Sequence, residues 1–167
     1  ETVTHYFNRT VLYPLKIKTK GKKMPLAIAL SAIFFNIING FINGYFLSVT
    51  SYENINLILF SFGILFFISG LIINIKSDNK LISLRTKNET NKYVIPKGGL
   101  FEYVSCPNFF GELIEWLGFA LMTMNIGSLS FFIWTFINLV PRALSHHKWY
   151  HHKFSDYPTE RKAIIPK

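Results

Sequence analysis

The chain has 167 residues, half of them hydrophobic and 17 of them phenylalanine, and its formal net charge is +9. A mean hydropathy of +0.26 combined with this basic excess argues against a soluble domain and fits an integral membrane protein. The single cysteine, Cys106, excludes an intrachain disulfide. The chain begins at Glu1 rather than Met and has no signal peptide, so we expect it to be part of a longer protein.

Hydropathy predicts an all-α fold, a multi-pass bundle of transmembrane helices. Residues Glu1–Leu15 are the expected end of a further helix. The apolar spans then follow in the order Pro25–Leu47, Ile55–Ile75, Phe109–Asn125 and Gly127–Val140. About 20 residues are needed to cross a bilayer. The first two spans are therefore long enough, whereas the last two need neighbouring helices or extensions into the interface.

The basic residues are distributed unevenly among the loops. All 18 of them except Arg9 fall in Lys16–Lys23, Lys76–Lys97 and Arg142–Lys167. The intervening loops, Ser48–Asn54 and the link near Ile126, carry none. This asymmetry predicts that the basic loops and the C-terminus face the cytoplasm. The membrane would be the endoplasmic reticulum in a eukaryote and the inner membrane in a bacterium.

Three polar residues open the third apolar span. Asn108 and Glu112 are four residues apart, and Glu115 follows three residues later, so a helix places all three on one face. Carboxylates at a hydrocarbon-facing segment are costly and usually mark a functional site. The spacing therefore predicts a membrane helix with an amide and two acids directed inward.

Asparagines also interrupt the other apolar spans. For Asn36 we expect hydrogen bonding between helices, which is the ordinary structural use of such a residue. Asn74 is followed four residues later by Asp78, so the second span carries a polar stripe that leads toward Arg85.

Arginines in the cytosolic segments allow two interpretations. Topology alone explains many of the basic residues. However, Arg85, Arg142 and Arg161 offer forked donors that suit phosphate, and they could hold a phosphorylated cofactor. The pair Gly98-Gly99 lacks the spacing of a dinucleotide-binding motif or a P-loop, so a nucleotide would not be held by a Rossmann unit.

The histidines after the fourth span are candidates for a metal site. His147 and His151 share a helix face, which could suit a metal. A membrane di-iron centre needs several histidine-rich boxes, and the chain has only five histidines. We therefore expect no metal, and interpret the segment with Trp149 and Tyr150 as interfacial.

Four blocks of sequence carry a resemblance to a known family. They are His5-Tyr6-Phe7-Asn8-Arg9-Thr10 with Tyr13-Pro14, Asn74-Ile75-Lys76-Ser77-Asp78 through Leu84-Arg85, Tyr93 through Gly118, and Arg142 through Pro166. In this order they resemble the steroid 5α-reductase (3-oxo-5α-steroid 4-dehydrogenase) family over nearly the whole chain. The match is to the C-terminal part of a longer member, so we treat residues 1–167 as one C-terminal membrane domain.

The resemblance implies a seven-helix membrane enzyme that uses NADPH to reduce a carbon–carbon double bond conjugated to a carbonyl, above all in a 3-oxo-Δ4 steroid. Tyr6 matches the tyrosine that hydrogen-bonds the 3-keto oxygen of the substrate. The catalytic candidates are Tyr6 and Glu112, and the substrate-binding candidates are Tyr6 and Glu115. The matching cofactor positions are Asn74, Asp78, Arg85, Tyr93, Asn108, Gly111, Glu112, Arg142, His146, Tyr150 and Arg161. The family's acid partner of the tyrosine is expected upstream of Glu1.

The chemistry of an enone agrees with these roles. Hydride addition to the β-carbon places negative charge on the carbonyl oxygen, and a preorganised donor there stabilises the transition state. A tyrosine hydroxyl can donate to this oxygen, especially with the support of an acid. The cofactor brings the hydride, and the protein supplies orientation and charge stabilisation.

Several alternatives remain open. The residues Ser105-Cys106-Pro107 before Asn108 look more like the related trans-2-enoyl-CoA and polyprenol reductases. Other classes with intramembrane polar residues are a transporter or channel, a methyltransferase of the isoprenylcysteine type and a non-enzymatic scaffold. The expected partners are a hydrophobic steroid or lipid substrate and membrane lipids, with no nucleic acid. The oligomeric state is left open.

Overall fold

The fold is all-helical, as predicted. A computed structural model describes residues 25–51, 55–87 and 93–166, without the side chains of residues 85–87. The elements in chain order are α1 (Leu26–Val49), α2 (Leu57–Lys87), a 3-10 turn (Gly99–Glu102), α3 (Pro107–Thr123) and α4 (Ile126–Lys153). In these ranges the only extended pairing is an isolated parallel bridge between Val104 and Lys162.

Three of the described helices are long and apolar enough to cross a membrane. They are Leu26–Val49, Leu57–Leu84 and Ile126–Lys153, which agrees with a multi-pass integral membrane protein. Helix α3 has 17 residues and is the shortest of the four, as the short third apolar span led us to expect. The further helix expected at Glu1–Leu15 lies outside the described residues.

The chain divides into two compact units, Glu1–Val49 and Thr50–Lys167. The described part of the first unit is α1, a helix of 24 residues. Its asparagines bond within the helix: Asn36 Nδ2 donates to the Ala32 carbonyl at 2.8 Å, and Asn43 Nδ2 donates to Asn39 Oδ1 at 3.0 Å. For Asn36 the described hydrogen bond therefore runs to its own helix rather than to a neighbour.

The second unit is built on an antiparallel contact between α2 and α3 through glycine. Gly63 and Gly70 on α2 lie two helical turns apart, as do Gly111 and Gly118 on α3. A Cβ added at Gly118 would lie 2.4 Å from the Phe67 nitrogen, and one at Gly111 would lie 2.7 Å from the Gly70 carbonyl oxygen. Both distances are shorter than van der Waals contact, so the two backbones can approach this closely only because these positions lack side chains.

A tight turn joins α3 to α4. Met124 ends α3 in the left-handed region at φ 49°, and Asn125 caps α4 by accepting a hydrogen bond from the Ser128 nitrogen at 2.9 Å. Thr123 Oγ1 also donates to Ser128 Oγ at 2.6 Å. These bonds satisfy polar groups at the two helix ends and turn the chain back beside α3.

Helix α4 continues well beyond the predicted apolar span. The predicted span Gly127–Val140 stops directly before Pro141, but the helix runs on to Lys153. A proline inside a helix removes one backbone hydrogen bond. Tertiary packing stabilises the helix beyond this proline, because Ala143 is fully buried and Tyr150 stacks on Tyr157 with ring centroids 5.2 Å apart.

Candidate functional site

Polar side chains from α2 and α3 meet at the end of the glycine contact. Asn74 Nδ2 donates to the Asn108 carbonyl at 3.0 Å, and Asn108 Nδ2 donates to Asp78 Oδ1 at 3.2 Å. Asn74 is only 1% exposed, and the other two are also buried. We call these three residues the amide–carboxylate cluster. The structure thus brings together three of the predicted cofactor positions.

Local sequence explains why these residues meet. Asn74 and Asp78 are one turn apart on α2, and Asn108 lies in the first turn of α3 directly after Pro107 at the first helical position. A Cβ at Gly111 would lie 2.6 Å from the Asn74 nitrogen, so the absence of that side chain lets the two helices approach. This places Gly111 in helix packing beside the cluster; its predicted role at the cofactor stays a prediction.

The two acids of α3 lie further along the same helix. Glu112 is half-buried, whereas Glu115 is 0% exposed. Glu115 also lies beside the close approach, because a Cβ at Gly70 would be 2.4 Å from the Glu115 nitrogen. The predicted inward face of α3 is therefore observed, with one acid at the edge of the interior and one inside it.

One acceptor in the cluster has no hydrogen-bond partner among the described residues. It is Asn74 Oδ1, which is buried. A buried polar atom of this kind calls for a bound water or ligand group that donates a hydrogen bond. The carboxamide of a nicotinamide ring carries such a donor, so the donor and acceptor set of the cluster fits a nicotinamide cofactor.

Arg161 is held by protein groups on the loop before α3. Its side chain is 2% exposed, with Nη1 donating to the Pro96 carbonyl at 3.0 Å and Nη2 lying 3.4 Å from Glu102 Oε2. The guanidinium carbon also lies 5.3 Å from the centroid of the Tyr157 ring. The two terminal nitrogens, whose forked donors were expected to suit phosphate, are thus directed at a carbonyl and a carboxylate of this chain. The buried Nε has no hydrogen-bond partner among the described residues.

Glu102 is the acidic partner in this arrangement. It accepts a hydrogen bond from the backbone nitrogen of Gly98, and that bond, followed by the nearby Arg161 charge, holds the pKa of Glu102 below its ordinary value of 4.5. Gly98 and Gly99 have φ angles of 89° and 62°, a region that favours glycine. The glycine pair therefore shapes a turn that presents Glu102 to Arg161.

The remaining cofactor candidates lie around the last turns of α4. Arg142 and His146 are exposed on that helix, and the His146 ring lies 6.0 Å from Phe109, the neighbour of Asn108. Tyr93 is exposed and contacts Trp149 edge-on at 5.0 Å. Tyr150 is half-buried against Tyr157, as described above.

Two candidates lie outside the described residues. Tyr6 precedes residue 25, and the side chain of Arg85 is not described although its backbone lies in α2. Within residues 25–51, 55–87 and 93–166, no group of three histidine, cysteine or acidic side chains is arranged to hold a metal. Cys106 is buried, and burial raises the pKa of its thiol to about 12.

Sequence reasoning missed a second polar cluster near the start of α3. Ser105 Oγ lies 2.6 Å from His147 Nδ1 and 2.6 Å from the Tyr157 hydroxyl. In the sequence His147 is a candidate only for metal binding, and Ser105 and Tyr157 stand out only as members of the resemblance blocks. The available signal was their presence in two separate blocks, which did not show that the blocks meet in space.

Comparison with known sequences identifies relatives of this chain. A profile described as 3-oxo-5-alpha-steroid 4-dehydrogenase matches residues 22–167. Steroid 5-alpha-reductase DET2 of Solanum lycopersicum is 46% identical over 168 residues, with 97% of this chain and 65% of that protein covered. The protein of the same name from Arabidopsis thaliana is 47% identical over 172 residues, with 97% and 65% covered.

An animal protein is similar to nearly the same extent. The 3-oxo-5-alpha-steroid 4-dehydrogenase 1 of Bos taurus is 43% identical over 167 residues, with 98% of this chain and 64% of that protein covered. This chain thus spans about 65% of the length of the relatives that it matches.

Proposed function

Because this chain belongs to the 3-oxo-5-alpha-steroid 4-dehydrogenase family, we propose that it forms part of a membrane reductase that hydrogenates the Δ4 double bond of a 3-oxo steroid. The electron donor is NADPH, and the product is the 5α-reduced steroid. The proposal extends to the whole protein an activity named for relatives of which this chain covers about 65%. The family profile matches residues 22–167, a range that includes Asn74, Asp78 and Asn108 of the amide–carboxylate cluster.

The observation that carries the proposal is the amide–carboxylate cluster itself. It places a buried acceptor, Asn74 Oδ1, where α2 and α3 approach closely at their glycines. Asn74, Asp78 and Asn108 would hold the nicotinamide end of the cofactor, with Glu112 beside them at the edge of the interior. The bound cofactor supplies a hydride, and the surrounding side chains supply position and exclude water.

The reaction also requires a hydrogen-bond donor at the 3-keto oxygen of the substrate. As hydride reaches the β-carbon, the 3-keto oxygen gains negative charge, and Tyr6 is the proposed donor that stabilises it. A proton must then reach the α-carbon, C4, to complete the reduction. The apolar helices offer the steroid a route from the lipid, which fits a substrate that partitions into membranes.

The proposed location follows from the loop charges. The basic segments Lys76–Lys97 and Arg142–Lys167 would face the cytosol, where NADPH is dissolved. The described relatives are eukaryotic, and we propose the endoplasmic reticulum as the membrane. The cofactor would then enter from the water and the steroid from the bilayer.

The test uses the full-length protein reconstituted in membranes with NADPH and a 3-oxo-Δ4 steroid. We expect cofactor oxidation together with a product two hydrogens heavier than the steroid. Turnover of a trans-2-enoyl-CoA without steroid turnover would move the protein to the fatty-acid elongation reductases. Absence of both reactions, in a folded protein that does not bind NADPH, would refute the proposal.

A further inference from the structure

The segment after α4 lies alongside the chain that leads into α3. We call this segment, Phe154–Pro166, the C-terminal strap. The Lys162 nitrogen donates to the Tyr103 carbonyl at 2.8 Å, the Ser105 nitrogen donates to the Lys162 carbonyl at 2.8 Å, and the Cys106 nitrogen donates to the Ala163 carbonyl at 3.1 Å. Three successive backbone bonds therefore tie the strap to the residues directly before α3.

Side chains of the strap reinforce this attachment from both sides. Arg161 reaches the loop carbonyl of Pro96 and the Glu102 carboxylate, while Tyr157 places its hydroxyl on Ser105 Oγ. Ser105 Oγ also bonds His147 of α4. One serine hydroxyl thus joins three segments that are far apart in sequence.

The point of attachment is the first turn of α3, where the amide–carboxylate cluster begins. Cys106 precedes the helix, and its carbonyl accepts the Phe110 nitrogen at 3.2 Å in the opening turn. The Asn108 carbonyl is held from the other side by Asn74. Cys106 of this turn and Ile164 of the strap belong to one hydrophobic core. The position of Asn108 is therefore fixed by α2 on one side and by the strap on the other.

We propose that Arg161, Tyr157 and Ser105 are positioning residues, which place the first turn of α3 so that Asn108 meets the cofactor. The effect on NADPH affinity rests on the proposed function, whereas the effect on the stability of the first turn of α3 does not. Arg161 acts here through Glu102 and the loop rather than through a phosphate of the cofactor. Its buried guanidinium, with donors directed at two protein groups, carries this part of the inference.

The test is amide hydrogen exchange of residues 108–112 in the full-length protein, together with the NADPH dissociation constant. Tyr157→Phe removes one buried hydroxyl, and we expect about five-fold faster exchange in this turn. Glu102→Gln weakens a partly exposed ion pair, and we expect an acceleration of about two-fold. Both variants should also raise the NADPH dissociation constant.

Matched controls lie in the same region. Tyr103→Phe removes an exposed hydroxyl and Glu160→Gln removes an exposed carboxylate, so neither should change exchange or affinity. Glu102→Gln separates the two roles of Arg161. If Arg161 contacts a cofactor phosphate directly, loss of its competing carboxylate tightens NADPH binding, and that result overturns the inference.

The exchange measurement also separates this inference from the proposed function. Exchange in Tyr157→Phe equal to that in Tyr103→Phe would overturn the positioning role even in an active enzyme. The converse result is a wild-type protein that reduces no steroid, although Tyr157→Phe still exchanges faster than Tyr103→Phe. That result would support the positioning role of the strap and refute the proposed activity.

Discussion

Two buried polar clusters meet at α3, and they are built in opposite ways. The amide–carboxylate cluster uses short side chains on two helices. These side chains contact one another because the glycines lack side chains and so allow the two backbones to approach closely. The cluster around Ser105 uses the long side chains of Tyr157 and His147, which reach across a loop. The first is therefore sensitive to added volume, and the second to the loss of a single polar atom.

The largest expected effect comes from adding volume between α2 and α3. Gly111→Ala and Gly118→Ala each force a Cβ against the opposite backbone, so we expect the free energy of unfolding to fall by about 3 kcal/mol in both. Thermal unfolding in detergent measures this. If Gly111→Ala stays stable but loses NADPH affinity, the residue serves the cofactor rather than the packing.

The next effect concerns the acid at the edge of the interior. Glu112→Ala should lower kcat/KM by at least about 100-fold while the protein stays folded, because the proposed site loses its partly accessible carboxylate. Steady-state kinetics with the steroid measures the loss, and Glu160→Ala serves as the exposed control. Near-normal turnover would remove Glu112 from the catalytic assignment.

A smaller effect should follow from opening the amide–carboxylate cluster without adding volume. Asp78→Ala takes the acceptor from Asn108 Nδ2, and an unsatisfied buried donor costs about 1–3 kcal/mol. We expect the loss in thermal stability and, through Asn108, in NADPH affinity. The exposed Asp156→Ala is the control, and equal behaviour of the two variants would show that the bond contributes nothing measurable.

The smallest effect is the pH dependence of the ion pair beside the strap. The pKa of Glu102 is lower in the folded protein than its ordinary value of 4.5. The Glu102 carboxylate therefore contributes to stability above pH 4.5, and this contribution is lost as the pH falls through the lowered pKa. The difference in melting temperature between wild type and Glu102→Gln should accordingly shrink in acid. A difference that stays constant from neutral pH to strong acid would contradict this assignment.

The contrast between the clusters also explains what the sequence could predict. Asn108, Glu112 and Glu115 were visible because polar residues stand out in an apolar span, and the helical period put them on one face. The helices themselves were predictable from the same long apolar spans. The extension of α4 past Pro141 was not, because packing against the strap rather than local propensity sustains it.

The cluster around Ser105 could not be predicted from local pattern. Ser105 and Tyr157 lie outside the predicted apolar spans, and nothing in the local sequence indicates that two residues 52 positions apart make a contact of 2.6 Å. Arg161 was singled out for its chemistry, but its protein partners depend on the path of the loop through Pro96 and Glu102. Long-range contacts of this kind are set by tertiary structure.

The glycine contact has a consequence for inherited variation in the gene. Every missense change at Gly63, Gly70, Gly111 or Gly118 adds at least one carbon, and all four positions place that carbon under 3 Å from an atom of the opposite helix. No conservative replacement is available to a glycine codon at such a site. These four codons should therefore be depleted of missense variants in any population that depends on the protein.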